Sequence, residues 1–434
     1  MKKTFRFLSM AALLVVGAIM TGCSSDDNID NPQQPANKDN VVTLTATVGF
    51  EANAETRAVN PTSGVKTFEG TNQIAVIYKN TSNETVKAVS TVFTPTGDNT
   101  KATFTVSLTN PASDGAIRYI YPATMAKTPA TDATITDDAA TIDYSGLLSS
   151  QDGTLATLGT NYDLAVFDGS LSGTDLPASA TLTNPLAICK FTFKDTGSND
   201  ITSVTRLTVS NGTNAYAVST SGLDEIYVAM KPVASGNIAF TAATASKTYF
   251  RTVTGKSLDA SKLYKNITVG SMVELAKGNV IGYDGNIYAS KTAAGSNAAA
   301  VIVYLGSDTY DATFKNGLAI ALDDEVSMNW STAKSTCEGK TAITGAKWCL
   351  PSRDQWTQMF AANGGNGGSY TGLNTTINTA GGTTLQGNDA RYWSSSEYDP
   401  GVQAYKVTLR GNGNALWSKF TEDQNGPVRA CLAF

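Results

Sequence analysis

The chain has no histidine among its 434 residues. That absence excludes a Ser-His-Asp triad, a Cys-His pair and any His-ligated zinc or haem site. Chemistry by carboxylate pairs, lysine or carboxylate-bound metal stays open, but the composition favours a protein that is not an enzyme. Basic residues are also in short supply: 32 Lys and Arg face 37 Asp and Glu, for a net charge of −5. Nucleic-acid binding needs a basic face, so nucleic acid is not an expected partner. Charged residues make up 16% of the chain, and the polar remainder is rich in Thr, Ser, Asn and Gly. That mixture suits strands and turns better than long surface helices.

What is present begins with MKKTFRFLSMAALLVVGAIMTGC. Lys2, Lys3 and Arg6 precede an apolar stretch that ends at Met20, followed by Thr21-Gly22-Cys23. This is the order of a secretory signal, and the apolar stretch is short of the ~20 residues of a spanning helix. Cysteine directly after a small residue resembles a bacterial lipobox. The resemblance implies a signal peptide over 1–22, lipid on Cys23 and attachment to the outer membrane. The other reading is an ordinary signal peptide with an incidental cysteine. Residues 23–40 are polar, carry prolines and lack apolar periodicity, so a disordered tether is predicted. Ser-Asp-Asp (25–27) after Cys23 also resembles the surface-export signal of Bacteroidetes-type lipoproteins.

From Val41 the pattern becomes period two. VVTLTATVGF sets Val42, Leu44, Ala46, Val48 and Phe50 on one face and threonines on the other. Similar runs recur up to SKTYFRTV (246–253), separated by Gly, Pro, Asn and Asp. Many short strands with turn signals predict β-sandwiches. Two are expected, over 41–183 and 184–271, with the joint at Thr183-Asn184-Pro185. Just past the first predicted strand lies ETRAVN (55–60). Its polar residues would leave Arg57 accessible to a protease; the alternative is a solvated turn residue.

From 272 onwards glycine increases and tryptophans appear. Trp330, Ala333 and Cys337 recur at helical spacing. Ser352 with Gln355 has the capping-box pattern ahead of an apolar stripe of Trp356, Met359 and Phe360. A long polar loop (361–391) without periodicity follows, and the end is rich in strands. In YWSSSEYD, alternation would bury Trp393 and expose its neighbours, or the reverse.

The first part, roughly residues 1–270, resembles the fimbrillin family, the pilus subunits of Bacteroidetes-type bacteria. The resemblance rests on the lipobox, the strand ending in ETRA, the two-sandwich length, LTNPLAICKFTF and KLYKNITVG. The last part resembles C-type-lectin-like domains through KWCLPSRDQW, YWSSSEYD and GPVRACLAF. Together they imply a mainly β fold: two tandem sandwiches followed by an α+β lectin-like domain over 272–434. The fimbrillin resemblance implies cleavage between Arg57 and Ala58. Residues 41–57 would then be a removable first strand, replaced by a donor strand from another pilus subunit. A chain whose final strand belongs to a lectin-like domain has no obvious donor of its own, which is the expectation for a subunit at a pilus tip. Localisation is expected at the cell surface and outer membrane, then in the fimbrium. A surface lipoprotein that never polymerises is the alternative.

Candidate binding residues for a glycan or a host or bacterial surface protein are Tyr392, Glu397, Tyr398, Asp399 and Trp417. Aromatic faces suit sugar C–H groups, and carboxylates suit hydroxyls. Glu397 with Asp399 beside the long loop is also where an enzyme reading would place its chemistry. Hard cations need oxygen clusters, but the Glu-Pro-Asn motif of true C-type lectins is absent, so Asp324, Glu397 and Asp399 are expected to be solvated, with no metal or cofactor. Of five cysteines, Cys23 is committed if the lipobox operates. The lectin-like fold implies a bridge from first helix to last strand, Cys337–Cys431, with Cys349 competing for that role. Cys189 is expected as a buried thiol.

Overall fold

In a computed structural model the described residues are 39–50, 67–365 and 368–434. The leader, Cys23 and the Arg57–Ala58 site lie outside them. Strand β1 (Val41–Phe50) follows from its sequence: Leu44, Ala46 and Val48 are buried while Thr43 and Thr45 face solvent. It pairs antiparallel with β5 (Lys101–Thr109), from Val41 opposite Thr109 to Gly49 opposite Lys101. On its other edge it runs parallel to β8 (Ser179–Leu182). With β4 (Thr94–Thr96) these strands form a sheet in the order β4-β5-β1-β8. The facing sheet combines β2 (Ala75–Lys79), β3 (Thr85–Val89), β6 (Ala116–Tyr121) and β7 (Ala165–Ser170) in the order β3-β2-β6-β7.

Strand β2 is buried on both faces, and its run AVIY shows why. Val76 and Tyr78 join the core between the two sheets. Ala75 and Ile77 point the other way, toward three short helices and the second set of strands. The helices are α1 (Asp138–Thr141), α2 (Ser145–Ser149) and α3 (Leu155–Asn161). They supply Thr141, Leu147 and Leu158 as buried residues.

The second set holds β9 (Ala187–Asp195), β10 (Val204–Ser210), β11 (Ala215–Leu223), β12 (Ile226–Met230), β13 (Val233–Ala243), β14 (Thr248–Leu258) and β15 (Lys262–Glu274). Their order is β11-β10-β13-β14-β15-β9-β12. Cys189, Phe191 and Phe193 alternate into its core, and burial pushes the Cys189 thiol up to about 12. Cys189 is therefore the inert, buried thiol its spacing predicts.

The C-terminal domain packs on the outer face of β13 and β14: Ala239 and Phe250 share a core with Ile343 and Trp348. Its six-stranded sheet contains β16 (Val280–Gly282), β17 (Ile287–Tyr288), β18 (Ala298–Leu305), β19 (Gly317–Ala321), β21 (Lys347–Cys349) and β26 (Cys431–Ala433), in the order β17-β16-β18-β19-β26-β21. A two-stranded piece joins β20 (Glu325–Met328) to β25 (Gly426–Val428), and a meander joins β22 (Ala390–Asp399), β23 (Gln403–Leu409) and β24 (Ala415–Thr421). Among the described residues it also has the α-helices α4 (Lys291–Ala294), α5 (Trp330–Glu338), α6 (Arg353–Ala362) and α7 (Thr371–Thr379).

Two of these helices have the predicted signals. Trp330, Ala333 and Cys337 form the buried stripe of α5. Ser352 and Gln355 make the reciprocal capping box of α6. Helix α7 corrects the expectation of a long loop. Thr and Asn are weak helix formers, so tertiary bonds hold the segment. Leu373 and Ile377 are buried. Asn374 binds Leu385 twice, its amide donating to the carbonyl at 3.0 Å and accepting the N–H at 2.8 Å.

The fold is therefore mainly β, with helices concentrated after residue 290.

Candidate functional site

A partly exposed row of aromatic side chains lies on the β22–β24 meander of the C-terminal domain. Tyr398 is 48% exposed. Its ring meets Tyr405 at 5.7 Å edge-on, and Tyr405 meets Trp417 at 6.3 Å, also edge-on. Two cations lie over this row. Lys419 Nζ sits 3.3 Å from the Tyr398 ring centre. The Arg353 guanidinium lies 4.9 Å from Tyr405 and 5.4 Å from Trp417. The register explains the cluster: Tyr405 faces Lys419, and Val407 faces Trp417 across β23 and β24. Arg353 arrives from the first turn of α6. Two of the predicted binding residues, Tyr398 and Trp417, are thus brought together. Tyr405, Arg353 and Lys419 complete the row. Period-two spacing in AYKVTLR and NALWSKF is the signal that places Tyr405 and Lys419 there.

The other candidates lie elsewhere. Tyr392 is fully buried. Its hydroxyl donates to Asp324 at 2.7 Å and accepts the Gln386 N–H at 2.9 Å. This corrects its assignment as a binding residue. Strand β22 is covered on both sides, so Tyr392 enters one core and Trp393 the other. Glu397 and Asp399 are exposed at the end of β22, just before the turn to β23. The Glu397 carboxylate accepts the Gly401 N–H at 3.3 Å.

Asp324 is not a solvated carboxylate either. It pairs at 2.5 Å with Arg429, whose side chain is fully buried and also donates to the carbonyls of Ala321 and Thr383 at 2.9 Å each. A buried guanidinium needs such partners. The stretch GPVRACLAF therefore supplies a structural hub. Among the described residues, no group of three His, Cys, Asp or Glu side chains is arranged to hold a metal ion.

The cysteine pairing also differs from the expectation. Cys337 projects from α5 into the core on one face of the six-stranded sheet. Cys431 projects into the core on the opposite face. Its partner there is Cys349, directly across from it on β21, with the two sulfurs 3.3 Å apart. The Cys337–Cys431 bridge is thus replaced by a Cys349–Cys431 contact, because α5 packs on one face of the sheet and strand parity sends Cys431 to the other.

In the first sandwich, β1 occupies an interior position. Its apolar residues lie beside Phe104, Val106 and Leu108 of the neighbouring β5, on the same buried face of the sheet. At its end Phe50 stacks on Phe68 at 4.3 Å. On the solvent face Thr43 bonds Ser107 at 3.0 Å and Thr45 bonds Thr105 at 3.1 Å. Taking β1 away would open the edges of β5 and β8 and an apolar groove between them.

No family model matches the sequence, and no curated protein matches it. Solved structures match part of the chain. A fimbrial assembly protein of Parabacteroides distasonis has 8% identity and a TM-score of 0.29, over 53% of this chain and 91% of its own. A candidate cell adhesion protein of Bacteroides uniformis has 20% identity and a TM-score of 0.29, over 54% of this chain and 97% of its own. The tip fimbrial protein of Porphyromonas gingivalis, truncated at its C-terminus, has 9% identity and a TM-score of 0.24, over 49% and 82%. These three neighbours are fimbrial or candidate cell adhesion proteins, each aligned over about half of this chain.

Proposed function

We propose that the chain is a structural and adhesive subunit of a cell-surface pilus, placed at the tip and assembled by donor-strand exchange. The observation that carries this reading is the position of β1. It is an interior strand whose removal exposes two backbone edges and an apolar groove, the features that accept a strand from another chain. A cut between Arg57 and Ala58 would separate β1, the tether and lipidated Cys23 from all that follows. The partner is then a second pilus subunit that supplies the replacing strand. Strand β26 is hydrogen-bonded on both sides, to β19 and β21, so it is poorly suited to leave as a donor. The C-terminal domain, in a lectin-like role, would hold a glycan or a surface protein on the Tyr398–Tyr405–Trp417 row. The role is non-catalytic.

N-terminal sequencing of the surface form tests the reading. The expected product begins at Ala58 and runs in high-mass filaments, and Arg57→Ala stays membrane-bound and outside filaments. A wild-type chain found solely as lipidated monomers would overturn it. That outcome would favour a non-polymerising surface lipoprotein, which could still use the aromatic row.

A further inference from the structure

The four described cysteines are free thiols, and two of them form a built pair. Cys349 and Cys431 stand opposite each other on antiparallel β21 and β26. Cross-strand Cα separations of about 4.5–5.5 Å fall inside the range of about 4.4–6.8 Å that a disulfide spans. Both thiols point to the same amide oxygen, Gln355 Oε1, at 3.7 and 3.6 Å. That oxygen is fixed in place. It accepts the Ser352 N–H at 2.9 Å, and Gln355 Nε2 donates to the Thr309 carbonyl at 2.9 Å.

The two thiols are not equivalent. Cys349 is partly exposed and Cys431 is fully buried. The hydrogen bond from the Cys431 thiol holds Cys349 below the ordinary thiol range, whereas burial pushes Cys431 well above it. Cys337 lies on the other side of the sheet, and burial pushes its thiol up to about 12.

We propose that Cys349 and Cys431 are a redox pair, with Cys349 the attacking thiol and Cys431 the resolving thiol, closed to a disulfide by a small disulfide-bearing oxidant. The Cys349 thiolate attacks one sulfur of the oxidant, RSSR. A mixed disulfide forms, and one thiolate, RS⁻, leaves with the proton that Cys349 gave up. Cys431 then loses its proton and attacks the Cys349 sulfur, releasing the second RS⁻. Two protein thiols are oxidised, and RSSR is reduced to two RSH. Such bonds persist in the oxidising surroundings of surface proteins. The product staples β26 to β21, spanning 82 positions of sequence, and fastens β26 beside the N-terminus of α6. Gln355 Oε1 keeps the Ser352 N–H bond after closure, so no orphaned acceptor is left.

The test is to treat the reduced, folded full chain with oxidised glutathione and map cross-links by mass spectrometry without reduction. Wild type should yield the Cys349–Cys431 peptide pair, with Cys189 and Cys337 unmodified. Oxidation should raise Tm by about 5–10 °C. Cys431→Ser should accumulate a glutathione adduct on Cys349, whereas Cys349→Ser should take up none on Cys431. A Cys337–Cys431 cross-link, a pair that stays reduced at saturating oxidant, or an adduct on Cys431 in Cys349→Ser would overturn the proposal. If a variant fails to fold, the wild-type cross-link map alone decides.

Discussion

Strands β1 and β26 are both hydrogen-bonded along two edges, yet the chain holds them by different means. Strand β1 is half a surface strand. Its threonines face water, and its attachment rests on a few apolar residues and a backbone ladder. Each fully buried Leu or Val contributes about 2 kcal/mol, so the whole grip is additive and can be reproduced by another alternating strand. Strand β26 is buried on both faces, with Cys431, Leu432 and Ala433 all at most 1% exposed. Its neighbour Arg429 is tied to two separate segments, through Ala321 and Asp324 at the end of β19 and through Thr383. No generic strand could replace those specific contacts. On the proposed reading the first sandwich would be built around a replaceable strand, and the C-terminal domain around a fixed one.

The largest test of that contrast is Asp324→Ala. It leaves the Arg429 guanidinium buried without its carboxylate, a loss of about 3–5 kcal/mol. Thermal or urea unfolding should show a C-terminal domain that unfolds first, while amide exchange in β1 and β5 is unchanged. Equal loosening of both regions would mean that the two are one cooperative unit.

Val48→Ala is the reciprocal experiment. Val48 is fully buried, and the change should cost about 2 kcal/mol. Exchange of β1 and β5 amides should accelerate, with protection of β19 and β26 retained. A variant that still assembles should also accept a donor strand faster. Unchanged exchange in β1 would show that its backbone ladder, and not its side chains, sets its hold.

The sequence was most informative where one face of an element is buried. Period two placed β1, and the capping box and the Trp330, Ala333 and Cys337 stripe placed α6 and α5. These signals are local, so no tertiary knowledge is needed to see them. It was least informative where two faces or distant segments decide. Helix α7 depends on Asn374 reaching Leu385. Tyr392 is hidden because β22 is covered on both sides. The cysteine partner depends on strand parity at β26, which a likeness of motifs does not fix. The aromatic row draws on β22, β23, β24 and α6 at once. Its members Tyr398 and Trp417 were visible in the sequence, and the cations over them were not.

A smaller effect separates the polar face of the meander from its core. Burial pushes the Lys406 ammonium down from 10.5 to about 8, with Arg391 adding to the shift. Its Nζ lies 3.8 Å from the Trp393 ring centre and donates to the Asn425 carbonyl at 3.0 Å. Between about 8 and 10.5 the unfolded chain binds more protons at this site than the folded one. Stability contributed by this residue therefore rises with pH through that window and is absent below it. Relative to Lys406→Met, wild type should gain ~2 kcal/mol between pH 8 and pH 10 in urea unfolding. Parallel pH profiles would mean that Lys406 titrates normally.

The smallest stability effect belongs to the residue with the largest expected effect on binding. Tyr398 is exposed, and its contact with Lys419 is worth about 0.5–1 kcal/mol. Tyr398→Ala should therefore shift unfolding by no more than that, well below the cost of Asp324→Ala. Trp417 is more enclosed, so Trp417→Ala should cost somewhat more. If the row is the binding face, both variants should lose signal on a glycan and surface-protein array on which the wild type binds, while Glu397→Gln keeps it. The contrast with Asp324→Ala matters here: that variant would lose binding by losing the domain, and its unfolding curve would say so. Retained array binding by Tyr398→Ala and Trp417→Ala, with Tm unchanged, would remove the row from the binding surface. The fixed strand would then support a face that has some other use.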